Sequence, residues 1–79
     1  MKPIPTVKNN ETVVFDVSQE SDGGFVAECL TEGIFTQADT WEELRRNTKE
    51  AVAAYYFDYQ QKPTEIYLHL RRDEVFAAS

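Results

Sequence analysis

Residues Ser21–Cys29 read SDGGFVAEC and contain the turn on which the predicted fold depends. Asp22-Gly23 followed by a second glycine can place two successive residues at positive φ, which a tight hairpin requires. Apolar residues alternate with polar residues on both sides of this turn. Residues 12–30 are therefore predicted to form two antiparallel strands that join near Asp22-Gly23.

Two further strands are predicted beyond the hairpin. Residues 34–38 form a short apolar segment, which predicts a third strand and completes a three-stranded meander. Residues 66–71 alternate between apolar and polar side chains, which predicts a fourth strand with one core face. That core face comprises Ile66, Leu68 and Leu70.

One amphipathic helix is predicted between the third and fourth strands. It can be capped by Thr40 with Glu43 or, one residue earlier, by Asp39 with Glu42. The helix is predicted to end near Gln60, because a Lys-Pro pair follows and the residue before a proline avoids helical geometry. Its apolar stripe at helical spacing comprises Trp41, Leu44, Thr48, Ala51, Val52, Tyr55 and Tyr59.

The order strand, strand, strand, helix, strand predicts an α+β fold with a four-stranded mixed sheet. A right-handed crossover through the helix gives the strand order 3-2-1-4, with one helix on one face of the sheet. Residues 1–79 are predicted to form a single domain, with an irregular lead-in at 1–11 and a short tail at 71–79. The tail can form a last helical turn or remain irregular.

The second face of this sheet has no predicted helix to cover it. It is predicted to mix acids with apolar and aromatic groups, and such a face is either a candidate interface or an ordinary solvated surface. Its predicted members are Val14, Asp16, Val26, Glu28, Tyr67 and His69.

Charge is distributed unevenly along the chain, whose net charge is −6. Residues 9–44 contain nine acids and no lysine or arginine. This half therefore disfavours nucleic acid as a ligand, since nucleic-acid binding requires clustered positive charge. A surface of one sign attracts a basic partner, although the same acids also serve ordinary solubility.

Cysteine usage and hydropathy indicate a cytoplasmic protein without a membrane anchor. The single cysteine, Cys29, excludes a disulfide within the chain and is predicted to be a buried thiol. The N-terminal residues lack the apolar region of a signal peptide, and no stretch approaches the length that spans a bilayer.

Catalytic and cofactor-binding patterns are not evident in the sequence. His69 has no serine, cysteine or carboxylate near it at a catalytic spacing. Gly23-Gly24 lacks the lysine and helix start of a phosphate-binding loop. Asp16 and Glu28 can face each other across the hairpin, either as a solvated pair or, with another acid, as a cation site. The sequence thus predicts a protein that is not an enzyme and has no cofactor or metal.

Four short motifs resemble those of HicB-like antitoxins, and the resemblance extends over about residues 12–70. They are DGGFVAEC at residues 22–29, GIFTQADT at residues 33–40, Glu43-Leu44 and Glu50-Ala51. The resemblance implies a partial ribonuclease-H-like fold and a type II antitoxin that binds and masks a small, basic, HicA-like toxin. Such toxins look like double-stranded-RNA-binding domains and cleave mRNA with a histidine.

Many HicB-like relatives carry a C-terminal DNA-binding domain, but only residues 71–79 follow the fourth strand here. Direct binding of nucleic acid by this chain is therefore not expected. The acidic hairpin and the open sheet face are predicted to bind the toxin. The residues assigned to this role are Asp16, Glu20, Asp22, Glu28, Glu32, Tyr67 and His69.

Phe57 lies opposite the apolar stripe of the predicted helix. It is predicted either to pack under a terminal segment or to contact another subunit, and a homo-oligomer is expected. Two alternative functions remain open. One is a ribonuclease-H-like, metal-dependent nuclease that uses Asp16 and Glu28, and the other is a stand-alone, homo-oligomeric module that binds a ligand.

Overall fold

A computed structural model describes residues 12–79, so the predicted lead-in at 1–11 lies outside the described residues. The elements are β1 (Thr12–Gln19), β2 (Phe25–Cys29), β3 (Ile34–Ala38), α1 (Trp41–Tyr55) and β4 (Glu65–Arg71). The sheet has the order β3-β2-β1-β4, with β1–β2 and β2–β3 antiparallel and β1–β4 parallel. The predicted α+β class, mixed four-stranded sheet and 3-2-1-4 order are confirmed. Residues 72–79 form neither helix nor strand.

The turn between β1 and β2 is wider than predicted. Of the two glycines, only Gly23 lies at positive φ, at 100°. The Gly23 N–H donates to the Glu20 carbonyl at 2.9 Å, and the Glu20 N–H donates to the Gly24 carbonyl at 2.7 Å. This pattern describes a three-residue loop in which one residue at positive φ follows a turn. The expectation of two successive residues at positive φ was wrong.

Gly24 is favoured in this turn for a different reason. A Cβ atom at Gly24 would lie 3.1 Å from the backbone oxygen of Ala38, at the end of β3. The Gly24 N–H also donates to Asp22 Oδ1 at 3.0 Å, which closes the loop from within. The hairpin loop is therefore fixed against the end of β3.

Gly23→Ala is expected to destabilise the protein by about 1–2 kcal/mol, because a side chain at positive φ brings Cβ against the following carbonyl. No atom lies within 4 Å of the added Cβ, so the cost comes from the backbone alone. Urea unfolding measures it as a lower midpoint with an unchanged slope. Gly33→Ala is the control, since Gly33 has open space and no positive φ. Equal losses in both variants would contradict this assignment.

The helix begins where the sequence predicts. Thr40 is the N-cap, and its Oγ1 accepts a hydrogen bond from the Glu43 N–H at 3.1 Å. The Glu43 carboxylate in turn accepts from the Asp39 N–H at 3.2 Å. Of the two capping arrangements considered, the structure has the one built on Thr40 and Glu43.

The helix ends at Tyr55, earlier than the predicted end near Gln60. After Tyr55 the chain makes a tight turn, in which the Phe57 N–H donates to the Ala54 carbonyl at 3.3 Å. Helix length explains the difference. A helix of fifteen residues spans about 22 Å, whereas one reaching Gln60 would span about 30 Å and overrun the strands.

The core lies between α1 and the β1–β3 part of the sheet. Phe15, Val17, Ala27 and Leu44 are fully buried, and Cys29 is buried as predicted. The other buried residues are Thr12, Val13, Gly24, Ile34, Thr48 and Val52. From the predicted stripe, Trp41, Ala51 and Tyr55 pack at the edge of this core. Tyr59 is exposed and lies beyond the helix, so its inclusion in the stripe was wrong.

β4 contributes less to the core than predicted. Its register with β1 places Ile66, Leu68 and Leu70 on the same face as Val13 and Phe15. Only Leu68 is packed against the core, while Ile66 is 36% exposed and Leu70 is 38% exposed. The reason is that α1 packs over β3 and β2 and leaves β4 largely uncovered.

Candidate partner-binding face

The sheet face opposite α1 brings together a row of four side chains, one from each strand. Asp16 in β1 pairs with Glu28 in β2 and with His69 in β4. Glu28 pairs with Phe35 in β3. Residues directly opposite each other on adjacent strands point to the same face, so Phe35, Glu28, Asp16 and His69 form a continuous line. We call this line the central row.

Further register pairs extend the face on either side of the central row. Val14 pairs with Tyr67, and the Tyr67 and His69 rings meet edge to face with centroids 6.5 Å apart. Ser18 pairs with Val26 and with Arg71. All six residues predicted for the open face therefore share one face of the sheet. We refer to this surface as the open face.

Arg71 adds a positive charge to the open face. Its Nε lies 3.7 Å from Asp16 Oδ2, and the Arg71 side chain is 63% exposed. An exposed pair of this length contributes about 0–1 kcal/mol, so Asp16 can exchange it for another cation at little cost. The sequence placed Arg71 on the outward side of β4, but did not assign it to the site.

Phe35 is the second residue that sequence reasoning missed. It is 59% exposed in the central row, beside Glu28. The alternation of side chains along β3 could have located it. Ile34 pairs with the buried Cys29 and therefore lies on the core side of β3. Its neighbour Phe35 must then lie on the open face.

Glu20 and Asp22 lie in the β1–β2 loop, next to the open face. They line a groove of about 410 Å³ that extends from Val26 and Gln37 to Glu43 and Asn47 of α1. Val26 and Gln37 are a register pair on the open face, so the groove reaches the edge of that face. The structure thus brings Glu20 and Asp22 to the edge of the predicted site.

Glu32 lies apart from the other predicted site residues. It is in the turn between β2 and β3, at the end of β2 opposite the β1–β2 loop. Its Oε1 accepts a hydrogen bond from the Tyr55 hydroxyl at 2.9 Å. This bond, followed by one with Tyr59, raises the pKa of Tyr55 above its ordinary value. Glu32 therefore ties the end of α1 to the sheet.

Two curated proteins resemble this chain in sequence, and both are named UPF0150 protein. The one from Thermotoga maritima is 34% identical over 65 residues, covering 82% of this chain and 87% of that protein. The one from Archaeoglobus fulgidus is 43% identical over 44 residues, covering 56% of this chain and 65% of that protein. The chain belongs to the UPF0150 family. No model of a protein family matches it, and no solved structure does.

Phe57 in this UPF0150 family member lies in the turn after α1 and is 79% exposed. It is therefore not covered by any part of residues 12–79. The predicted role of Phe57 in self-association stays a prediction.

Residues 12–79 of this family member contain no group of three or more His, Cys, Asp or Glu side chains arranged to hold a metal ion. Asp16 and Glu28 are register neighbours, as predicted, and Asp16 is paired with Arg71. In the same part of the chain, no helix is long and apolar enough to cross a membrane.

Proposed function

We propose that this UPF0150 chain is a HicB-like antitoxin that binds and masks a small, basic, HicA-like toxin that cleaves mRNA. The observation that carries the proposal is the central row, in which two adjacent acids are flanked by an aromatic ring and an imidazole on an uncovered sheet face. The chain acts by binding, and contributes no catalytic group of its own.

The chemistry of the open face suits a basic protein partner. Exposed aromatic groups such as Phe35 and Tyr67 supply the apolar contact area that dominates many interfaces. Glu28 and Asp16 between them supply charges that pair with lysine or arginine and steer the encounter. The net charge of −6 also attracts a basic partner at long range.

The motifs shared with HicB-like proteins divide between folding and the open face. Gly23 and Gly24 shape the hairpin loop, and Thr40 caps α1. Within the same motifs, Val26, Glu28, Phe35 and Gln37 lie on the open face. This division supports the proposal, because a binding protein needs both a scaffold and an exposed surface.

Masking needs no reaction by the antitoxin. A toxin that recognises RNA must present cations to phosphate, and those cations are the groups that Asp16 and Glu28 attract. A protein seated on them displaces the RNA and covers the catalytic histidine. Because mRNA is the toxin's target, both proteins act in the cytoplasm.

Co-expression with the protein encoded by the neighbouring reading frame tests the proposal. We expect that neighbour to be small and basic and to co-purify with this chain. The complex should leave RNA intact, whereas the neighbour alone should cleave it. A neighbour that neither binds the chain nor cleaves RNA would contradict the proposal, as would Mg²⁺- or Mn²⁺-dependent cleavage of RNA by the chain alone.

Binding to the toxin is expected to weaken as salt rises, because exposed charge pairs are screened over about 8–10 Å at 0.1–0.15 M ionic strength and about 3 Å at 1 M. Biolayer interferometry across a salt series measures this, with the loss concentrated in the association rate. Affinity that does not change with salt would instead assign the binding energy to Phe35, Tyr67 and their apolar neighbours.

A further inference from the structure

An apolar groove runs between α1 and β4, on the helix side of the sheet. It has a volume of about 540 Å³, and its floor includes Ile66 and Leu68. Ile66 is 36% exposed, and the adjacent Leu70 on the same face is 38% exposed. β4 is also an edge strand, with its second side unpaired within residues 12–79. The groove is therefore part of the core face that this chain leaves uncovered.

The rim of the groove concentrates positive charge in an acidic chain. Arg45, Arg46 and Lys49 line it, against the single acid Glu42. They are three of the eight lysine and arginine residues of the whole sequence. None of the three forms an ion pair with any residue in the range 12–79. An occupant with acidic groups and apolar side chains would complement this groove.

Thr48 supplies an independent sign that the groove is incomplete. It lines the groove and is 1% exposed. Its Oγ1 is buried and has no hydrogen-bond partner among residues 12–79. Buried hydroxyl groups are normally hydrogen-bonded, so this unpaired group shows that the wall of the groove is incompletely satisfied within residues 12–79.

Residues 73–76, which follow Arg71 and Arg72, carry the matching chemistry within the segment 72–79. Every residue of this segment is exposed, and none belongs to a helix or strand. Asp73 and Glu74 are followed directly by Val75 and Phe76, which are 95% and 79% exposed. Two adjacent acids next to two large apolar groups are the complement of a basic rim above an apolar floor. We call residues 73–76 the acidic–apolar segment.

We propose that the acidic–apolar segment of a second copy of this chain occupies the groove, so that two copies exchange these segments reciprocally. Asp73 and Glu74 pair with Arg45 and Arg46, and Val75 and Phe76 cover the apolar floor. A reciprocal exchange is a closed, two-fold arrangement and gives a homodimer.

The acidic–apolar segment of a second copy fits the groove better than the same segment of the same chain, and better than residues 1–11. The acidic–apolar segment follows the end of β4, so reaching its own Ile66 would require the chain to reverse along β4. Residues 71–79 contain no glycine or proline to make that reversal. Residues 1–11 have the wrong charge, with Lys2 and Lys8 against one acid.

The proposed dimer leaves the open face free, because the groove and the open face lie on opposite sides of the sheet. A toxin and a second copy can therefore bind the same chain together. The inference does not depend on the proposed function, since it concerns only copies of this chain.

Charge-swapped variants of the full chain test the exchange. One variant, Arg45→Glu/Arg46→Glu, reverses the rim, and the other, Asp73→Arg/Glu74→Arg, reverses the acidic–apolar segment. Sedimentation equilibrium should give twice the chain mass of 9.1 kDa for the wild type and a twofold lower mass for each variant alone. An equimolar mixture of the two variants should recover the dimer, because both junctions of the heterodimer are then matched in charge.

The mixing result separates a second copy from an internal contact. A monomeric wild type would overturn the proposal, as would variants that stay dimeric alone or a mixture that stays monomeric. Circular dichroism melting confirms that each variant is folded. Phe57→Glu tests the rival surface: a dimer that is lost in this variant yet kept in both charge variants would assign self-association to Phe57 and overturn the exchange.

Discussion

Phe15→Ala is expected to destabilise the protein by about 3–5 kcal/mol, the usual cost of removing a buried phenylalanine. Phe15 is fully buried at the centre of β1, and β1 is the strand that pairs with both β2 and β4. The loss combines the transfer free energy of the ring with the cavity left beneath α1. Each kcal/mol lowers the melting temperature of a domain of this size by about 4–8 °C. Thermal melting and urea unfolding measure the effect.

Phe35→Ala is the matched control, because it removes the same atoms from a strand position that is 59% exposed. It is expected to change stability by no more than about 0.5 kcal/mol, as surface substitutions usually do. Phe35→Ala should instead weaken toxin binding. Phe15 is buried and does not contact the toxin, so Phe15→Ala should have no direct effect on binding. Equal destabilisation by the two variants would contradict the assignment of Phe15 to the core and Phe35 to the open face.

Glu28→Lys is expected to weaken toxin binding at least tenfold. It places a cation in the central row, and like charges brought together at an interface cost several kcal/mol, against about 1.4 kcal/mol for a factor of ten. The fold should tolerate the change, because Glu28 is exposed and its register partner Asp16 is an acid. Biolayer interferometry at fixed salt measures the affinity.

Two other variants calibrate that result. Glu50→Lys makes the same change of charge on an exposed position of α1, away from the open face, and should alter affinity much less. Arg71→Gln should act in the opposite direction, because it releases Asp16 from its 3.7 Å contact. The expected gain is a few-fold, in line with about 0.2–1 kcal/mol for an exposed pair. Equal losses for Glu28→Lys and Glu50→Lys would locate binding outside the open face.

The order of the elements and the direction of β4 were predictable from the sequence, because they follow from local patterns. Alternation in β1 and β4 identified the core side of each strand, and Thr40 with Glu43 marked the helix start. Once the meander occupied both sides of β2, the free edges of β1 and β3 remained, and β4 pairs with β1. Because the helix returns the chain along the sheet, β4 runs parallel to β1.

Three errors in the prediction arise from tertiary packing. Gly24 lies close to the end of β3, so the second glycine serves a close approach and not a positive φ. The helix ends at Tyr55 because the sheet beneath it is short, a length that local propensity does not encode. Ile66 and Leu70 are exposed because one helix is too narrow to cover four strands. Each depends on contacts between distant elements.

The candidate site was partly predictable for the same reason. The alternation of side chains along each strand was enough to place Asp16, Glu28, Tyr67 and His69 on one face, and the register confirms this. Glu32 was included for its charge, but it bonds to Tyr55 at the far end of β2. Membership of a linear acidic stretch therefore does not establish membership of one surface.

A titration of the toxin's RNA cleavage with this chain tests the central claim most directly. We expect wild-type protein to stop cleavage once every toxin molecule is bound, with no further effect of excess. Glu28→Lys should require a higher concentration for the same inhibition, and Glu50→Lys should match the wild type. Cleavage that continues unchanged in a large excess of folded wild-type protein would contradict the account.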